Sequence, residues 1–232
     1  MNDGLRRGAA DAWAFRTRVE REAARRFARL AAAISGFDPG SPLPALLRRA
    51  AQDEDRHAGL CAELTIAYGQ LAPGEAADAP IAPRTLGLRG AVLYEMVAAC
   101  CITETESVAT LATLLAGEAE PRVEKVLREI ARDEVVHGRM GWAHLAREAA
   151  LHDVSFLSAW VPSMLSGTVG DDLFSGAGAD PDPEGLLRHG VLPRSRKKEI
   201  FLRTLEEVVL PGLEKFAVDT GPARAWLARH QG

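Results

Sequence analysis

One five-residue pattern occurs twice in the chain, as Asp53-Glu54-Asp55-Arg56-His57 and as Asp133-Glu134-Val135-Val136-His137. On a helix, each copy sets a carboxylate and an imidazole one turn apart on the same face. The residues around them make that face the inner one. Leu47, Ala50, Glu54, His57, Cys61, Leu64 and Tyr68 step by three and four residues, and Val123, Leu127, Ile130, Glu134, His137, Gly141 and Leu145 step by three and four as well. A charged residue in such an apolar seam costs several kcal/mol unless it is paired or bound to a cation.

Each copy follows a helix with one glutamate on its own inner stripe. Trp13, Glu20, Phe27 and Ile34 repeat every seven residues on a helix predicted over 11–34. Leu93, Val97, Cys100, Glu104, Val108, Leu111 and Leu115 form the seam of a helix predicted over 86–116. Glu22, Glu95 and Glu106 fall on other faces and read as surface charges. The two pattern-bearing helices are predicted over 43–71 and 121–150. The spacing is parallel in the two halves: Glu20 precedes Glu54 by 34 residues and Glu104 precedes Glu134 by 30. Short turns join the first and second helices and the third and fourth. The connection over 72–84 is long and carries Pro73, Gly74, Pro80 and Pro83. A connection of that length needs a reason in a compact domain, and a return along the whole bundle supplies one.

Beyond residue 150 the periodicity weakens. A fifth helix is expected over 154–165 with Phe156 and Trp160 inward, and a glycine-rich loop over 166–190. An amphipathic helix is expected over 194–216, strained or ended near Pro211-Gly212, with a last short helix over 222–229. The whole reads as a single all-α domain over 1–232: a four-helix bundle over 11–150 and a helical extension over 151–232.

Composition excludes several classes. The 232 residues carry a net charge of -4 with acids and bases interspersed, so neither a nucleic acid nor an anionic membrane surface is an expected partner. Residues 1–12 lack an apolar signal core, and no apolar stretch reads as long enough to span a bilayer. The expectation is a cytoplasmic protein without a membrane segment. Cys61, Cys100 and Cys101 are odd in number and lie in helical patterns, which argues against a disulfide framework.

The duplicated Glu…Glu-x-x-His pattern resembles the ferritin-like four-helix-bundle di-iron carboxylate superfamily, over residues 11–150. That family takes one Glu from each of two helices and Glu-x-x-His from each of the other two, with a long crossover between helices 2 and 3. The resemblance implies Glu20, Glu54, His57, Glu104, Glu134 and His137 as metal ligands, with Glu54 and Glu134 bridging. It also implies that Asp53 accepts a hydrogen bond from His137 and Asp133 one from His57. The implied cofactor is two iron ions, and a manganese–iron pair takes the same hard ligands.

The fold does not choose the chemistry. Cys61 and Gly141 stand four residues after the two histidines, where a radical-generating ribonucleotide reductase carries tyrosine after its first. Val108 stands where multicomponent hydrocarbon monooxygenases carry threonine, and a rubredoxin-like cysteine tetrad is missing. The expectation is an oxygen-activating oxidoreductase of the monooxygenase type that hydroxylates or N-oxygenates a small organic substrate. Its partners would be O2, that substrate and an electron donor such as a reductase or ferredoxin; a homodimer is the expected assembly. The alternative is a ferroxidase or peroxide-scavenging iron protein. Gly138 and Gly141 either leave a substrate pocket beside the metals or permit close helix packing, and the 166–190 loop is a candidate lid.

Overall fold

The computed structural model describes residues 1–81, 85–169, 173–174, 180 and 182–231, and among them there are helices and no strand. In chain order these are α1 (Asp3–Phe37), α2 (Leu43–Ala67), α3 (Leu88–Met96), a π-helical turn (Val97–Thr103), α4 (Glu104–Leu115), α5 (Pro121–Leu151), α6 (Leu157–Thr168), α7 (Pro183–Arg188), α8 (Arg194–Thr204), a second π-helical turn (Leu205–Val209), α9 (Leu210–Glu214) and α10 (Gly221–Gln231). They gather into two compact units, one of residues 1–81, 111–133 and 180–193, the other of residues 82–110, 134–179 and 194–232.

The first unit is built on the α1–α2 hairpin. Asn2 caps α1 by accepting the Leu5 amide at 2.8 Å. The predicted seven-residue stripe is buried: Trp13, Glu20, Phe27 and Ile34 all face inward. Trp13 packs with Cys61, Leu64, Leu111, Leu114, Val123, Leu127 and Ile130. Burying one large apolar side chain in such a cluster contributes roughly 1.5–3 kcal/mol.

The connection that follows α2 is held by the outer face of α1. Arg21 donates to the Pro73 and Gly74 carbonyls, and Arg25 pairs with Asp78 at 2.8 Å and with Glu75 at 3.4 Å. Those arginines give a proline-rich segment with no helix of its own something to run along.

The glycine-rich 166–190 stretch is not one loop. Its described part contains the end of α6 and all of α7, which Asp182 caps by accepting the Gly185 amide at 2.9 Å. The reading of this stretch as a lid falls in part on residues outside those described. After α7, Gly190 has φ +74° and lies against Trp13 and Val123, where a Cβ would come within 2.7 Å of each. Only glycine meets both demands at once.

The second unit is organised around α3 and its π-helical continuation. Leu93, Val97, Cys101 and Ile102 pack with Val161 and Leu165 of α6, Phe201 of α8, Leu205 and Val209. The stretch Leu88–Leu115 is long and apolar enough to cross a membrane by length and composition, contrary to the sequence expectation, and half of the apolar window is buried inside the protein. The C-terminal helices that wrap α3 account for its apolar surface on otherwise outward faces.

Glu95, read from the sequence as a surface charge, is buried instead. In α6 the inward residues are Leu157, Val161, Met164 and Leu165, while Phe156 and Trp160 lie half-buried at its edge. The chain does not break at Pro211-Gly212. The π-helical turn Leu205–Val209 leads directly into α9, which places Pro211 in a first helical turn, where a missing N–H is tolerated.

Candidate metal centre

Four glutamates and two histidines of the duplicated pattern and its flanking helices are buried. In the first unit, His57 is fully buried, and its Nδ1 lies 3.5 Å from Glu54 Oε2 and 3.9 Å from Glu20 Oε2. Its Nε2 lies 3.2 Å from Asp133 Oδ2. In the second unit, His137 Nδ1 lies 3.1 Å from Glu134 Oε2, and Glu104 begins α4 immediately after the π-helical turn. Such turns occur inside α-helices mostly at functional sites, and nothing in the sequence announces this one.

The donor atoms of Glu20, Glu54, His57 and Glu134 all lie within 4.8 Å of one another, and so do those of Glu54, Glu104, Glu134 and His137. All six side chains are buried. Glu54 and Glu134 belong to both groups.

Electrostatics mark the cluster as cation-seeking. Burial raises the Glu20 carboxyl well above its usual 4.5, and the neighbouring Glu54 raises it further by repulsion and by sharing a hydrogen bond with it. A dry group of carboxylates must take up protons or cations. Four carboxylates and two imidazoles are a hard oxygen-rich donor set that suits a pair of iron or manganese ions.

The two aspartates stand in a different environment. Arg56 donates to Asp53 Oδ1 at 3.0 Å, to Asp133 Oδ2 at 2.7 Å and to Glu129 Oε1 at 2.7 Å. Arg132 adds a contact to Asp133 Oδ1 at 3.1 Å. Partial burial works against ionisation of Asp133, but the hydrogen bonds from Arg132, Arg56 and His57 outweigh it and hold the carboxyl far below the usual range. Asp133 therefore reaches His57, whereas the contact described for Asp53 is Arg56.

Arg56 was not legible as part of the site. It sits between two ligand candidates in sequence, on a helical position that would ordinarily face solvent. Also unanticipated was Glu148, buried on α5 and held by Arg89 at 2.9 and 3.1 Å. His144 is buried as well.

The two glycines after His137 behave differently. A Cβ on Gly138 would find ordinary contacts, 3.6 Å from the Cys100 carbonyl oxygen and 3.9 Å from Glu104 Cβ. A Cβ on Gly141 would lie 2.2 Å from Cys100 Cβ and 3.1 Å from its carbonyl carbon. At Gly141 the missing side chain is filled by Cys100, which is close helix packing.

The helical fold that carries this buried carboxylate–histidine cluster has a match among solved structures. Among solved structures, a protein from Synechococcus with aldehyde deformylating oxidase activity matches with a TM-score of 0.64 at 19% sequence identity, over 99% of this chain and 100% of that one. No protein-family model matches the chain, and no curated protein does.

Proposed function

We propose that the protein is a di-iron oxidoreductase that uses O2 to oxidise a small organic substrate. The observation that carries this reading is the pair of overlapping four-residue groups with Glu54 and Glu134 in both. In it, Glu20 and His57 would hold one metal, Glu104 and His137 would hold the other, and Glu54 and Glu134, which stand in both groups, would serve both. Two irons so held would supply the binding and reduction of O2.

The chain's own part is positional. Asp133 accepts from His57 Nε2, which turns the Nδ1 lone pair toward Glu20 and Glu54. Arg56 fixes Asp133 in turn. The buried seam of α2 and α5 keeps bulk water from the carboxylates, so their charge acts on a bound ion at low dielectric.

The activity of the Synechococcus neighbour makes an aldehyde the first substrate to test, ahead of the hydroxylation and N-oxygenation of other small molecules. Hydroxylation with O2 takes two electrons per turnover and deformylation of an aldehyde to a hydrocarbon and formate takes four, and a reductase or ferredoxin is the proposed donor. The test is oxygen uptake by anaerobically iron-loaded protein with a chemical reductant, with and without a series of aldehydes. Uptake that rises with one aldehyde, with a shortened product, supports the reading. Rapid iron oxidation at equal rate without any organic substrate, with iron released as ferric mineral, replaces it with a ferroxidase.

A further inference from the structure

The first unit holds a second cluster of redox-capable side chains that metal binding does not use. Tyr68 Oη lies 3.0 Å from His189 Nδ1, with the two rings edge-on at 5.5 Å between centroids. The indole Nε1 of Trp13 donates to the His189 carbonyl oxygen at 3.0 Å. Gly190, in its left-handed conformation, keeps this segment against the Trp13 ring.

The cluster lies in line with the proposed ligands. Trp13 is on the buried stripe of α1 with Glu20, seven residues away, which is about 10 Å of helix rise. Tyr68 caps α2 and is eleven residues beyond His57, about 16 Å along the same axis. Because α1 and α2 form an antiparallel hairpin, the two displacements run the same way. Cys61, one turn past His57, is buried in the same core as Trp13. Exposure rises along this series: Cys61 0% and Trp13 1%, then a half-buried Tyr68. Tyr68 borders an open cleft of about 470 Å³ lined also by Arg6, Arg7 and Gln70.

We propose that Trp13, Tyr68 and His189 form a one-electron escape route, which carries oxidising equivalents from the metal centre to the Tyr68 cleft when O2 reacts without an organic substrate. This rests on the O2-using function proposed above, which supplies the oxidant. Trp13 passes one electron to the oxidised centre and takes one from Tyr68. As Tyr68 loses its electron, its phenolic proton moves to His189 Nδ1. A water-soluble one-electron reductant in the cleft restores the electron, and the proton returns from His189 to the phenol.

The surroundings suit those roles. Burial pushes the Tyr68 phenol up to about 12, with Glu120 adding to it, so it keeps its proton until it is oxidised. Burial also lowers the His189 imidazole below its ordinary value, which leaves Nδ1 available as an acceptor. The Arg16 guanidinium lies 5.3 Å from the Trp13 ring centroid, and the indole N–H meets a carbonyl, which is not a base. Positive charge is therefore disfavoured on Trp13, and the oxidised state settles on Tyr68.

The test uses the full chain, loaded anaerobically with ferrous iron, mixed with O2 without organic substrate, freeze-quenched and examined by electron paramagnetic resonance and rapid-scan absorption. The expected result is a neutral tyrosyl radical that is lost in Tyr68→Phe and kept in Tyr94→Phe, Tyr94 being the other tyrosine of the chain. Iron oxidation should keep its amplitude in both variants. Peptide mass spectrometry should then find more oxidation at Trp13 and Cys61 in Tyr68→Phe than in the parent. His189→Gln, which retains a hydrogen-bond partner but takes up no proton, should lower the radical yield. Full iron oxidation with no tyrosyl radical, or a radical that survives Tyr68→Phe, overturns the route and leaves the oxygen chemistry standing. Failure to bind or oxidise iron overturns both.

Discussion

Gly141→Ala tests the closest helix contact beside the proposed metals. The added Cβ would lie 2.2 Å from Cys100 Cβ, 3.1 Å from its carbonyl carbon and 3.2 Å from its Cα. Carbon atoms pack at about 3.5–4.0 Å, so α5 and the π-helical turn must part by roughly 1 Å or more. Two of the three opposing atoms are backbone and cannot rotate away. Overpacking of this sort costs about 1–3 kcal/mol, and replacing glycine in a helix returns about 0.5–1 kcal/mol. The metal-free variant should be less stable by roughly 1–2 kcal/mol, which lowers Tm by about 2–8 °C in a chain of this size. Gly138→Ala is the control, since its Cβ meets nothing nearer than 3.6 Å; it should gain about 0.5–1 kcal/mol. Calorimetry or thermal circular dichroism of the metal-free proteins reads both. A second substitution, Cys100→Gly, should recover part of the Gly141→Ala loss, because contacting sites couple. Gly141→Ala as stable as the parent, or Gly138→Ala the more damaged of the two, would refute the packing argument.

Metal analysis checks the bridging assignment: Glu54→Ala or Glu134→Ala should lose both ions, whereas Glu22→Ala and Glu106→Ala should keep two per chain. Ferrous iron at a hundredfold excess over its Kd should stabilise the protein by about 2.7 kcal/mol per site, with chelation reversing the rise in Tm. Metal-free stability should fall as pH climbs above 4.5, because the folded state holds the Glu20 proton to higher pH than the unfolded chain does. Glu20→Gln should flatten that slope in denaturant titrations at a series of pH values, and an unchanged slope would remove Glu20 as its source. Arg89→Met leaves the buried Glu148 carboxylate without its guanidinium and should cost about 1–3 kcal/mol in chemical denaturation.

The four long helices were legible because their inner stripes are continuous. Trp13 to Ile34 and Leu47 to Leu64 bury one face each, and a glutamate or histidine stands out against apolar neighbours. Where a helix is covered on several sides, periodicity loses its meaning. Glu95 looked external because its step from Glu104 points away from the seam, yet it is buried. Glu148 is buried too, and the Arg89 that meets its charge lies 59 residues away in sequence. The π-helical turn Val97–Thr103 has no composition of its own, since a single wide turn differs from α-helix only in which carbonyl each amide meets. Arg56 was invisible for another reason: its partners Asp53, Glu129 and Asp133 come from two helices, and only the fold brings them to one guanidinium. The segment around α7 was lost in a glycine-rich stretch, although Asp182-Pro183 is a helix-start signal on the residues themselves.

His57 joins these two kinds of information. On one side of its ring stands Asp133, kept ionised by guanidinium donors; on the other stand Glu54 and Glu20, the latter driven toward protonation by burial and by its neighbour Glu54. An ionised Asp133 at 3.2 Å requires the ring proton at Nε2. The Nδ1 lone pair then faces carboxylate oxygens at 3.5 and 3.9 Å. Lone pairs aimed at carboxylates repel, so that arrangement is stable only with positive charge between them. A proton can supply it for one pair of atoms. Two four-residue groups that share Glu54 and Glu134 ask for more charge than one proton carries, charge that bound metal cations would supply.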